Sequence, residues 1–201
     1  MRILAVILNA AYLALPNLLP IIVAKQVDLS IAWGHADVSP SAYANYALIL
    51  CGIVEDIESG YRFGNLALNL SNKIESKEFS AKTIEIVCLS VKHWKEHINS
   101  TLEPLLNCYK IGLQCGDFES ASFAALDYCA HSLVLGKNLI DLEREMFDYS
   151  LQIGELKQQM VFNLHELHRQ TVLNLRGKNS NPSLLKGTAY NEDHMLPARN
   201  K

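Results

Sequence analysis

Two histidine pairs offer the first possible chemistry in this 201-residue chain. His93-Trp94-Lys95-Glu96-His97 sets two imidazoles one helical turn apart, a spacing that lets both reach one metal ion. A zinc protease needs a glutamate directly after the first histidine as general base, and that position is Trp94. Trp94 also continues a core stripe, and the flanking charges read as solvated. His165-Glu166-Leu167-His168 carries a second pair, at i and i+3. Di-iron bundles combine two Glu-x-x-His motifs with lone glutamates on facing helices, and only fragments of that set are present. Glu143 and Glu145, on either side of Arg144, read as the exposed side of the same helix. No metal site is expected from either pair.

Other chemistries lack their parts. No strand-turn-helix Gly-x-Ser-x-Gly occurs, and no cysteine lies beside an evident electropositive group. Arg176-Gly177-Lys178-Asn179 lacks both the first glycine and the magnesium-binding hydroxyl of a phosphate loop. The kinase HRD and DFG motifs are missing as well. The expectation is a chain with no catalytic residue, no cofactor-binding residue and no metal ligand.

Composition narrows the partners. The net charge is −3, and the 18 lysines and arginines form no basic face, which argues against nucleic acid. Five cysteines (Cys51, Cys88, Cys108, Cys115, Cys129) lie in apolar helical stretches without a Cys-x-x-Cys pair. That is the pattern of reduced thiols used as small core residues in a cytoplasmic protein.

The elements that would position any site are helices. Leu102, Leu105, Leu106, Tyr109 and Leu113 share one helical face. Ala121, Ala124, Ala125, Tyr128 and Ser132 form another, with Phe123, Leu126, Ala130 and Val134 on a second side of the same helix, so that helix is sandwiched. Between them, Gly116 suits the positive φ that ends one helix, and Asp117 suits the cap that opens the next. The same grammar occurs at Asp56-Ile57-Glu58-Ser59-Gly60, offset by 61 residues (117 − 56). Glu58 then falls on Glu119, Ser59 on Ser120, and Gly60 and Gly64 on Ala121 and Ala125. A hairpin unit used twice predicts an all-α helical-hairpin repeat, an α-solenoid.

Ile3 to Ala24 contains no charged residue, a length that could span a bilayer. Pro16-Asn17-Leu18-Leu19-Pro20 breaks it into a short helix and the start of a second, which favours a buried hairpin over a membrane segment. The second helix runs from Leu19 to about Trp33 and stops at Gly34. A third opens at Ser39-Pro40-Ser41, with Tyr43, Tyr46, Leu50, Ile53 and Ile57 as its apolar face and Cys51 and Gly52 allowing close packing. A fourth carries Phe63, Leu66, Ala67, Leu70 and Ile74 and ends in the polar run Ser71 to Lys77. A fifth carries Ile84, Val87, Val91, Trp94 and Ile98.

After Gly136 the positions Leu139, Leu142, Met146, Tyr149, Ile153, Leu156 and Met160 alternate spacings of three and four straight across Gly154. Unbroken phase predicts one long helix from about Asn138 to Leu175. The domain expectation is a helical repeat over 1–176, followed by an irregular polar tail over 177–201.

Several segments then resemble a known family: LILCGIVEDIESGYRFGNLAL, HWKEH, PLLNCYKIGLQCGDFESASFAALDYCAHS, LKQQ and NPSLLKGTAYNEDHMLP. They look like the tetratricopeptide-like helical region of large bacterial signalling proteins, common in cyanobacteria, that join serine/threonine kinase, ATPase, GAF sensor and histidine kinase modules. The resemblance implies a place between the ATPase and the sensor, with every catalytic residue in modules outside this chain. The chain stops just after Met195-Leu196-Pro197, where that helical region continues, which implies a piece of a longer protein. The function expected is a non-catalytic module for protein–protein interaction or signal relay, with homodimerisation possible through an uncapped repeat edge. Retained kinase or ATPase activity and membrane anchoring through residues 3–24 are the alternatives.

Overall fold

A computed structural model describes residues 1–74 and 77–195, except the side chains of Asn9 and Leu13. Glu75 and Ser76 of the expected polar run, and residues 196–201 of the expected tail, lie outside the described residues. The architecture is all-α: α1 (Arg2–Ala14), α2 (Leu19–Trp33), α3 (Ser39–Ile49), α4 (Ile57–Lys73), α5 (Ser80–Ser90), α6 (Leu102–Cys115), α7 (Phe118–Val134), α8 (Leu139–Glu155), α9 (Gln159–Leu175) and α10 (Glu192–Met195). The four helices α4, α7, α8 and α9 are each 17 residues long. Two compact units divide the chain inside α7, Met1–Ala121 and Ser122–Lys201. Of the stretch expected to be a separate tail, residues 177–195 fall within the second unit.

In the first unit α3 packs against α2, α4 and α5. Tyr43, Ala44, Ala47 and Cys51 join Val27, Ala67, Ile86, Val87 and Val91 in one core. A helix so enclosed must also satisfy its polar residues. Ser39 Oγ accepts from Ala36 N–H and meets Ser30 Oγ at 2.8 Å. The two turns share one geometry. Glu55 (φ 64°) and Gly116 (φ 77°) take the left-handed conformation. The next residue, Asp56 or Asp117, then accepts through Oδ1 from the N–H of Ser59 (3.0 Å) or Ser120 (3.1 Å).

Three details differ from the helical stripes expected here. Residues Leu50–Val54 form a π-helical turn, which inserts extra backbone and shifts the faces beyond it. Ile53, expected in the core, is therefore 61% exposed. Gly52 faces open space, and the close approach is made by Cys51 against Gly60. Helix α5 ends at Ser90, followed by 3-10 turns at Lys92–Trp94 and Ile98–Thr101. Trp94 is consequently half exposed, donating its indole N–H to Ser90 O at 3.2 Å.

In the second unit Cys129, Leu142, Met146 and Val172 form a core with Tyr128, Leu133, Leu139 and Tyr149. The long helix from Asn138 to Leu175 does not exist: it is two helices, α8 and α9, that turn at Leu156–Gln158. Lys157 takes φ 58°, and its N–H bonds Gly154 O at 3.2 Å. The chain reverses there, because Phe162 lies beside Gly154, His165 beside Met146 and Arg169 beside Glu143. The heptad seam is real through Ile153, whereas its continuation is accidental. Met160 is 48% exposed, and the buried side of α9 carries Val161, His165 and Val172 together with the polar Glu166, Gln170 and Asn174.

The segment after α9 is irregular yet held. Gln170 Oε1 accepts from Ala189 N–H (3.2 Å) and Tyr190 N–H (3.4 Å), and Gln170 Nε2 donates to Asn174 Oδ1 (2.8 Å). Asn174 Nδ2 donates in turn to Pro182 O and Leu184 O. Lys186 pairs with Asp193 at 2.6 Å, and Gly187 lies so close to the Gln170 amide that a Cβ there would displace it.

Candidate interaction surface

The stretch without charges at the start of the chain folds into α1, a short 3-10 turn at Pro16–Leu18, and α2. One side is buried as expected: Leu8, Leu19, Val23 and Ile49 pack together with Ile22, Tyr46 and Leu48 around them. The other side is not. Ile3 (79% exposed), Val6 (78%), Ile7 and Ala10 recur at i, i+3, i+4 and i+7 and point away from the core. On α2, Ile21 and Ile31 are also exposed. Past Arg2, α1 has no charged side chain to hydrate this face. No helix among the described residues is long and apolar enough to cross a membrane. The 13 residues of α1 rise about 20 Å, against roughly 30 Å of hydrocarbon.

The histidine pairs are placed quite differently from one another. His93 and His97 fall on the turns after α5 rather than on one helical face. His93 stacks on Trp94 with ring centroids 5.1 Å apart, and burial holds its pKa below the ordinary histidine value. His97 accepts from Asn99 N–H through Nδ1 at 3.2 Å, capping the second 3-10 turn. Among the described residues no group of three or more His, Cys, Asp or Glu could hold a metal ion.

His165 is fully buried, and its Nε2 lies 2.8 Å from Met146 O. A carbonyl can only accept, so Nε2 carries the proton, and Nδ1 is left buried without a partner among the described residues. Desolvation dominates its titration and lowers the pKa to about 4, against the opposing bond to Met146. His168 donates from Nδ1 to Leu164 O at 2.8 Å within its own helix. The two rings thus serve α8–α9 packing and helix α9 respectively.

The carboxylates expected on the exposed side of that helix are instead pairing groups. Glu143 meets Arg169 (3.3 Å) and Arg176 (3.0 Å), and Arg169 also meets Glu166 (3.0 Å), all largely buried. Glu145 takes Lys137 at 2.6 Å. Of these pairs, those of Glu143 tie α8 to α9 and the residue that ends it. Four of the five cysteines are buried free thiols as expected, while Cys115 is exposed. Burial pushes the Cys129 thiol up to about 12, far from a reactive thiolate.

No family model matches the chain, and no solved structure matches it. Among curated proteins it is similar to the hybrid signal transduction histidine kinase G of Dictyostelium discoideum, 21% identical over 179 residues. The matched segment covers 88% of this chain and 5% of that protein, so the chain spans a small fraction of its relative's length. The likeness relates the chain to signalling kinases.

Proposed function

We propose that this chain is a non-catalytic, tetratricopeptide-like helical module that makes protein–protein contacts or relays a signal within a larger cytoplasmic kinase assembly. The observation that carries the reading is the uncharged outer face of α1, with Ile3, Val6 and Ile7 in water. Fully burying each such side chain contributes about 1.5–3 kcal/mol, a driving force that a partner helix can use. The repeated turn at Asp56 and Asp117 supports the hairpin-repeat architecture, and the likeness to a signalling kinase supports the context. In the absence of another partner, a second copy of the chain covers the face and forms a homodimer. Nucleic acid is not a partner in this reading.

Two measurements test it. Calorimetric titration with Mg-ATP gives no saturable heat; saturable binding overturns the non-catalytic reading in favour of kinase or ATPase activity. In sedimentation velocity the wild-type chain associates as concentration rises and Val6→Lys does not; association unchanged by Val6→Lys overturns the role of this face. Co-sedimentation of the wild-type chain with phosphatidylcholine vesicles decides in favour of membrane anchoring through residues 3–24 instead.

A further inference from the structure

Of the described side chains of α1, only Leu8 and Ala11 are buried. In α3, by contrast, eight of the 11 residues are. Packing beneath α1 is also incomplete, because a cavity of about 210 Å³ is lined by Ala5 and Leu8 of α1 together with Gln26 of α2 and Ser41 and Asn45 of α3. A well-packed interface would fill that space. Gln26 is 1% exposed, and its Oε1 has no hydrogen-bond partner among the described residues. A dry, unpaired amide oxygen is unfavourable, so water that reaches it when α1 lifts offsets part of the apolar area then exposed. Asn45 donates from Nδ2 to Ser41 O (2.8 Å), and Ser41 donates from its hydroxyl to Val38 O (3.0 Å). Neither bond reaches α1.

The two ends of α1 are held in different ways. At one end Leu15 leaves the helical region (φ −143°, ψ 66°), Pro16 has no N–H to continue the ladder, and a three-residue 3-10 turn, Pro16–Leu18, leads into α2. At the other end Arg2 meets Glu78 at 2.7 Å and Asp37 at 3.7 Å, with all three side chains roughly half exposed or more. Ion pairs as exposed as these weaken with salt. We infer that α1 is a hinged lid over the polar floor formed by Gln26, Ser41 and Asn45, turning at Leu15–Leu18 and latched by Arg2. It opens as a unit while α3 stays folded. Partner contact on the outer face of α1, where the proposed interaction role holds, then acts on the same element that closes the floor. That coupling rests on the proposed role; the hinge and the latch do not.

The test is amide hydrogen exchange of the full chain, followed residue by residue by NMR. The hydrogen-bonded amides of α1 exchange at least a hundredfold faster than those of Ala44 and Ala47 in α3. Raising the salt from about 0.1 M to about 1 M cuts the screening length from about 10 Å to about 3 Å; it speeds α1 exchange at least twofold and leaves α3 unchanged. Arg2→Gln gives the same gain at low salt and removes the salt response. Gln26→Leu, which replaces the unpaired amide with an apolar side chain, slows α1 exchange at least threefold. Val6→Lys changes only the outer face and leaves all of these rates in place, so failure of the interaction role does not alter this test. Three results each overturn the inference: α1 exchange as slow as that of α3, α1 exchange indifferent to salt and to Arg2→Gln, or faster α1 exchange in Gln26→Leu.

Discussion

The sulfur of Cys51 occupies the space that a methyl group on Gly60 would need. Sixty-one residues later the arrangement is inverted, since Gly112 and Ala121 are the equivalents of Cys51 and Gly60. A Cβ on Gly112 would come within 2.9 Å of the Ala121 methyl. In each hairpin one helix contributes the side chain and the other contributes the gap. The two turns therefore share a packing rule as well as a cap.

Gly60→Ala is expected to destabilise the chain by about 1–3 kcal/mol through overpacking. Cys51→Gly combined with Gly60→Ala copies the second hairpin and recovers part of that loss. Ala47 O and Cys51 N still stand 3.1 and 3.2 Å from the new Cβ, so the recovery is incomplete. A double-mutant cycle read from urea midpoints gives a coupling of at least about 0.5 kcal/mol; strict additivity contradicts the contact.

The turn between α8 and α9 makes a second expectation. Lys157 holds φ 58° without a glycine's freedom, and Lys157→Gly relieves strain worth about 1 kcal/mol. Gly154 lies inside α8, where a Cβ would sit 3.7 Å from the Phe162 ring, an ordinary contact. Gly154→Ala therefore also stabilises, by up to about 1 kcal/mol. Were the two helices continuous, Lys157→Gly would destabilise instead, and its urea midpoint would fall.

These outcomes bear on which parts of the fold could be read from residues alone. Pro16, Pro20, Gly34 and the Gly116-Asp117 pair announce themselves because proline geometry, positive φ and capping are local properties. The break at Lys157 carries no such mark, since a lysine enters the left-handed region only when the returning helix packs well enough to hold it there. The π turn at Leu50–Val54 and the early end of α5 are likewise set by neighbours, which is why Ile53 and Trp94 were expected inside and lie outside. At the interaction surface, the absence of charge from Ile3 to Ala24 was legible; which side faces water was not. Gln170 and Asn174, spaced four apart on α9, were the overlooked signal for the docked segment that follows.

Acid is expected to weaken the second unit through His165. Its folded pKa of about 4 lies below the ordinary value of 6.5, so the unfolded chain binds the additional proton between those limits. Stability from this residue is complete above about pH 6.5 and is lost as pH falls towards about 4, to a total on the order of 3 kcal/mol. His165→Gln, which keeps a donor for Met146 O, removes that share of the slope. Urea midpoints at pH 7.5 and 4.5 measure it; identical differences in the two chains would contradict the assignment.

Removing the Gln170 amide is expected to release the segment it holds. Gln170→Leu leaves the N–H groups of Ala189 and Tyr190 without their acceptor, and these amides exchange with solvent faster by at least tenfold. Gln170→Glu keeps an acceptor oxygen and preserves more protection than Gln170→Leu. Hydrogen exchange followed by mass spectrometry over residues 179–195 reads both; unchanged protection in Gln170→Leu would place the anchor elsewhere.

The common length of α8 and α9, each 17 residues, gives their hairpin one gauge of about 25 Å. A single-residue insertion within either helix therefore turns one of the two facing sides out of register with the other.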